Sequence, residues 1–122
     1  MILVVGGQSA GKREFVMGLG FAVEDVAPAI LDTRPVLADL HVFLQAPRFE
    51  GVAFLDEATF ASLLQKEVII CAEVGCGVVP IETGERLWRE RVGSTCTRLA
   101  QEADTVVRLV CGIPQYIKGN RL

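Results

Sequence analysis

The chain opens on four consecutive apolar residues, Ile2-Leu3-Val4-Val5, followed at once by glycine. A short β-branched run of this kind predicts a strand buried on both faces of a parallel sheet. Gly6-Gly7-Gln8-Ser9-Ala10-Gly11 breaks the run, and Lys12 to Leu19 predicts a helix ending near Gly18 or Gly20. Ala29 to Asp32 and Leu40 to Leu44 read as second and third short strands. Gly51-Val52-Ala53-Phe54-Leu55 predicts a further strand that ends on Asp56. A helix from Glu57 to Gln65 follows, with Ala58, Phe60, Ala61, Leu63 and Leu64 as its apolar residues. Val68 to Ala72 predicts another buried strand, leading into a glycine-rich loop through Gly75 and Gly77 to Pro80. Trp88, Val92, Cys96, Leu99 and Ala103 recur at spacings of three and four, which marks one long amphipathic helix from about Thr83 to Ala103. Thr105 to Cys111 predicts the last long strand, closed by Gly112 and Pro114, and the tail Gln115 to Leu122 predicts a short edge strand. Strands alternating with helices give an α/β fold, a mostly parallel sheet flanked by helices.

A length of 122 residues implies a single domain spanning residues 1–122. Hydrophobic residues make up 51% of the chain and its mean hydropathy is +0.41, enough to bury a sizeable core. The net charge of -3 offers no electrostatic basis for binding nucleic acid. No apolar run reaches the roughly 18 to 20 residues that cross a bilayer, and the apolar start is too short for a signal peptide. Cys71, Cys76, Cys96 and Cys111 form no CxxC pair and have no histidine nearby, which argues against zinc and predicts small buried residues in a reduced, cytoplasmic protein.

Gly6-x-x-x-x-Gly11-Lys12 sits directly after a predicted strand and directly before a helix, the setting of a nucleotide-binding phosphate loop. Gly6, Gly7, Gln8, Ser9, Ala10 and Gly11 would turn backbone N–H groups toward an anion, and Lys12 would reach the outer phosphates. Such loops place Ser or Thr after the lysine, because that hydroxyl ligates Mg²⁺. Here the residue is Arg13. Arginine cannot ligate a cation, so Arg13 either turns out to solvent or takes the metal's place. Asp56 ends an apolar run, as the metal-side aspartate of these folds does, and is equally suited to cap the following helix. An Arg13–Asp56 ion pair across the vacant metal position is the sharper expectation.

A second motif narrows the field. Glu73-Val74-Gly75-Cys76-Gly77-Val78-Val79-Pro80 is followed by Arg86-Leu87-Trp88-Arg89-Glu90 and Gly93, then Ala100, Ala103-Asp104, Val110-Cys111-Gly112-Ile113-Pro114 and Lys118. This order resembles the C-terminal half of the bifunctional adenosylcobinamide kinase/adenosylcobinamide-phosphate guanylyltransferases, closely over Val68 to Lys118. The resemblance implies a RecA-like P-loop NTPase fold, a trimeric homo-oligomer, and a place in cobalamin biosynthesis with adenosylcobinamide as substrate. It implies GTP or ATP with Mg²⁺ as cofactor, Lys12 and Asp56 as the central catalytic pair, and Asp56 as the metal residue.

The chain also departs from that pattern. The family's guanylylated histidine lies in a segment H-R-x-x-R-P, whereas here Asp32-Thr33-Arg34-Pro35 has no preceding histidine. His41, flanked by Leu40 and Val42, reads as a packed residue rather than the nucleophile. Ala72 stands where the family has Asn, and Cys96-Thr97 replace its Asn-Gln pair. Without a nucleophile, guanylyl transfer is expected to be lost. Three functions remain: a minimal adenosylcobinamide kinase, a non-catalytic module that binds a nucleotide, a phosphate or a protein partner, and, least favoured, a purely structural oligomer with an empty loop. From the residues alone, Arg86 and Arg89 could grip an anion but read more readily as a salt-bridged helix face.

Overall fold

The computed structural model describes residues 1–74 and 82–122, so the expected glycine-rich loop through Gly75 and Gly77 to Pro80 lies outside the described residues. The strands are β1 (Ile2–Gly6), β2 (Val36–Leu37), β3 (Val68–Ala72), β4 (Thr105–Val110) and β5 (Ile113–Lys118). The helices are α1 (Lys12–Gly18), α2 (Leu40–Phe43), α3 (Glu57–Leu64) and α4 (Thr83–Glu102). The strands form one sheet in the order β2-β3-β1-β4-β5. The first four are parallel and β5 returns antiparallel to β4.

Alternation along the strands explains the layers. Leu3, Ile69, Cys71 and Val106 point to one face, where Phe60 and Leu63 of α3 and Val92 and Leu99 of α4 cover them. Val4, Ile70 and Val107 point to the other face, against Val16 of α1. The phosphate loop and α1 therefore lie on one side of the sheet, and α3 and α4 on the other.

Three of the expected strands are corrected. Leu40 to Leu44 is helical, because Leu40 and Leu44 are fully buried four residues apart while Val42 between them is exposed. Ala29 to Asp32 is a turn, closed by the Asp32 N–H donating to the Ala29 carbonyl at 3.1 Å, with Leu31 in solvent. The short strand in this region is Val36–Leu37, which pairs with β3 at Val68 and Ile69. Gly51 to Leu55 is a loop. Its carbonyls are taken by side chains of α4 instead of by a neighbouring strand: Arg91 donates to Val52, Ser94 to Ala53 and Arg98 to Leu55. Gly51 has a φ of 76° and Phe54 is 67% exposed, so neither backbone nor side chain is set for a sheet.

Away from the phosphate loop, Lys66 and Arg91 are buried against carbonyl oxygens. Lys66 donates to the carbonyls of Asp32 and Arg34. Arg91, 4% exposed, donates to the carbonyl of Leu44 at 2.7 Å and of Val52 at 2.6 Å. Arg91 thereby fastens the loop after α2 and the loop before α3 to α4. Arg91→Leu keeps the bulk but strands both carbonyls, and a charged hydrogen bond is worth about 1.5–3 kcal/mol. A loss of about 2–4 kcal/mol is expected in urea unfolding, and Arg91→Lys, which lacks the planar fork, should recover only part of it.

Candidate functional site

β1 is paired on both sides along its whole length, and its last residue, Gly6, lies between Ala72 and Leu109. A side chain there has no room, since a Cβ on Gly6 would lie 2.8 Å from the Leu109 carbonyl oxygen. The chain leaves the sheet at this point and turns through Gly7, Gln8, Ser9 and Ala10 into α1. Two of the turning residues adopt left-handed backbone, Ser9 at a φ of 59° and Gly11 at 88°. A right-handed helix cannot begin until that twist is spent, and it begins at Lys12. The first turn of α1 has no intrahelical acceptors for its N–H groups, so these donors face the loop opening.

Lys12 is buried to 8% exposure and folds back on the loop, its Nζ donating to the Gly7 carbonyl at 2.6 Å. The β4–β5 turn closes the loop from the other side. Cys111 and Gly112, with φ of 50° and 77°, form a two-residue hairpin turn, and the Gly112 N–H donates to the Ala10 carbonyl at 2.9 Å. A Cβ on Gly11 would lie 3.3 Å from the Gly112 Cα, so two glycine backbones touch here.

The acidic residue beside the loop is Asp39, not Asp56. Asp39 follows β2, at the same end of the parallel sheet as Gly6, and its Oδ2 accepts from Arg13 Nη2 at 2.9 Å. The expected Arg13–Asp56 pair is not formed. Asp56 caps α3, accepting from the Thr59 N–H at 3.1 Å and the Thr59 hydroxyl at 2.7 Å. These two bonds hold its carboxyl below the usual carboxylate range. It also lies at the start of a helix on the opposite face of the sheet from α1. The apolar run ending on Asp56 was misleading because it is a loop, while the strand that does end beside the phosphate loop, Val36–Leu37, is too short to signal itself.

Ser9, Asp39 and Cys111 are the non-glycine residues with positive φ among the described residues, and all three surround the phosphate loop. Left-handed backbone costs a side-chain-bearing residue roughly 1–2 kcal/mol, least for Asp and Asn. Strain of this kind gathers where a fold holds a site in place.

His41 is on α2, two residues beyond Asp39. Its Nδ1 accepts the Ala72 N–H at 3.2 Å, and its carbonyl accepts Trp88 Nε1 at 2.8 Å. The residue thus links β3, α2 and α4. The Arg34-Pro35 stretch lies at the other end of the sheet, where Pro35 accepts the N–H groups of Glu67 and Val68 just before β2 and β3 begin. Among the described cysteines, Cys71 is buried as expected, Cys96 is half-buried, and Cys111 is exposed in the hairpin turn. Hydrogen bonding with Cys96, and then burial, pushes the Cys71 thiol up. Glu73 pairs with Arg108 at 2.6 Å, its N–H donating to the Gly6 carbonyl, so the ends of β3, β1 and β4 are tied together. Arg89 pairs with Glu85 one turn away, as a salt-bridged helix face does, and Arg86 is exposed.

The family model described as cobinamide kinase / cobinamide phosphate guanyltransferase matches residues 49–117, more than half of the chain. The chain belongs to this family. No curated protein matches it. The mostly parallel sheet with flanking helices is the RecA-like P-loop fold of the cobinamide kinase/guanyltransferases, and membership ties the chain to nucleotide-dependent chemistry of cobalamin biosynthesis. No helix among the described residues is long and apolar enough to cross a membrane. The matched segment supplies β3, α4, β4 and the turn that closes the loop, whereas the loop itself, Asp39 and His41 precede it.

The Mg²⁺ that accompanies nucleotides in such folds does not fit this donor set. Arg13 stands at the hydroxyl position, Asp39 is engaged by its guanidinium, and Asp56 is engaged by Thr59.

Burial holds the His41 imidazole below its ordinary pKa, with Asp39 pulling it up and Lys12 pushing it down. The unfolded chain therefore binds a proton before the folded one as pH falls. The stability contributed by neutral His41 is complete above about pH 6.5 and is lost as pH drops through the folded value. The melting temperature should be level above about pH 7 and decline as the pH falls below about 6.5. His41→Asn, which can offer an amide oxygen to the Ala72 N–H, should remove that decline. The lowered carboxylates of Asp56 and Asp104 act only below about pH 4, outside this window.

Proposed function

We propose that this chain is a nucleotide-binding protein of corrinoid metabolism, retaining the kinase half of its family's chemistry at most and lacking guanylyl transfer. The observation that supports the proposal is the phosphate loop: left-handed Ser9 and Gly11 lead into the first turn of α1, and Lys12 is buried against the loop backbone. Gly6, Gly7, Gln8, Ala10 and Arg13 are the other residues of the loop and helix start that would meet the nucleotide. GTP and ATP both present the β- and γ-phosphates such a loop recognises.

Loss of guanylyl transfer rests on His41. A transferring histidine needs an unshared ring nitrogen aimed at the nucleotide phosphate. His41 Nδ1 gives its lone pair to the Ala72 N–H, so the proton of the neutral ring sits on Nε2 and neither nitrogen offers a free lone pair. A non-catalytic module is favoured over a kinase by the Arg13–Asp39 pair, which occupies the groups that would otherwise hold a metal. Self-association is supported by Val110, Ile113 and Ile117, three apolar residues exposed along the β4–β5 edge.

Thermal-shift titration with GTP, ATP and GMP tests the proposal. A ligand at a hundredfold excess over its Kd adds about 2.7 kcal/mol to folding, a shift of several degrees. GTP or ATP should give that shift and Lys12→Ala should abolish it without lowering the unliganded melting temperature by a similar amount. A flat response to all three nucleotides would refute nucleotide binding. Adenosylcobinamide phosphorylation by the wild type then separates kinase from module.

A further inference from the structure

We propose that Arg13 replaces the divalent cation of this site, so that the loop binds the phosphates of its ligand without metal. The inference rests on the phosphate-binding function proposed above and adds how the charge is balanced.

A metal in such a loop lies between a carboxylate and the phosphate oxygens and neutralises both. The Arg13 guanidinium is placed to do the same. Its residue follows the loop lysine, and its Nη2 bonds Asp39 Oδ2 at 2.9 Å from across the gap between α1 and β2. That bond uses one of three nitrogens. A guanidinium carries five N–H donors in a planar fork, so Nη1 and Nε remain to donate to a phosphate oxygen while Asp39 keeps its hold.

The pair is half in water, the Arg13 side chain 55% exposed and that of Asp39 43%. Exposed ion pairs are weak and easily rearranged, which lets the fork tilt toward an arriving anion. Asp39 matters as an aiming device. Its left-handed backbone, φ of 60°, turns the carboxylate toward α1, and its carbonyl starts α2 by accepting the Val42 N–H at 2.9 Å. Arginine stays protonated at any physiological pH, so this cation is permanent. It also lacks the Lewis acidity and octahedral geometry of Mg²⁺, which suits retention of a phosphate better than its transfer.

The test is calorimetric titration with GTP and with inorganic triphosphate, each in EDTA and in excess Mg²⁺ at matched ionic strength. The wild type should bind with affinities that agree within about twofold in the two buffers. Arg13→Ser should lose about tenfold or more in EDTA and recover in Mg²⁺, because a hydroxyl then sits where a metal ligand belongs. Asp39→Asn separates the two roles of the carboxylate, and asparagine tolerates the left-handed backbone. It should weaken binding by a similar few-fold in EDTA and in Mg²⁺, since the guanidinium loses its aim in both, whereas a metal-ligating aspartate would weaken binding in Mg²⁺ alone. Wild-type binding that requires Mg²⁺ overturns the inference and leaves the nucleotide-binding function standing. Absence of binding in both buffers overturns both together.

Discussion

The phosphate loop depends on a contact that no side chain could make. β1 is flanked by β3 and β4 at each of its five residues, and at its end the Leu109 carbonyl approaches too closely for any Cβ on Gly6. The strand must therefore end in glycine, and the chain must leave the plane of the sheet there. The Glu73–Arg108 ion pair and the Glu73 N–H on Gly6 fix the neighbouring strand ends at the same level. With that frame set, the left-handed turn at Ser9 and Gly11 delivers Lys12 into the first position of a helix. Binding geometry here follows from how three parallel strands terminate side by side.

Much of this was legible in the chain. The run Ile2 to Val5, the glycine loop and the periodicity of Trp88, Val92, Cys96, Leu99 and Ala103 each have a local physical cause, and each element appeared where it was expected. The errors fell where tertiary contacts override local pattern. Gly51 to Leu55 has the composition of a strand, but Arg91, Ser94 and Arg98 capture its carbonyls, and no sequence window contains both partners. Leu40 to Leu44 is too short for periodicity to separate helix from strand. Asp39 went unnoticed for a related reason: β2 has two residues, below the length at which an apolar run signals a strand. The idea that Arg13 meets a carboxylate was sound, and the identity of the carboxylate required the topology.

Within the cobinamide kinase/guanyltransferase family, this chain keeps the scaffold and alters its charges. The matched segment, residues 49–117, provides β3 and β4, which flank the central β1, together with α4 and the closing hairpin turn. Two of the altered positions, Arg13 and the histidine-free approach to Pro35, lie before it, whereas Ala72 and Cys96-Thr97 lie within it. Changes at the loop leave the hydrophobic layers untouched, because Arg13 is half-exposed and Pro35 sits at the far end of β2. The hydrophobic layers are thus independent of the polar positions at the rim.

The hairpin turn at Cys111 and Gly112 links the loop to the edge of the sheet by one hydrogen bond from the Gly112 amide to Ala10. That amide is a built-in gauge. Its exchange with solvent deuterium follows the opening of the phosphate loop from a residue far along the chain, and its neighbours in β5 carry the exposed Ile113 and Ile117. The loop and the outer strand therefore share one hydrogen bond through which the position of either bears on the other.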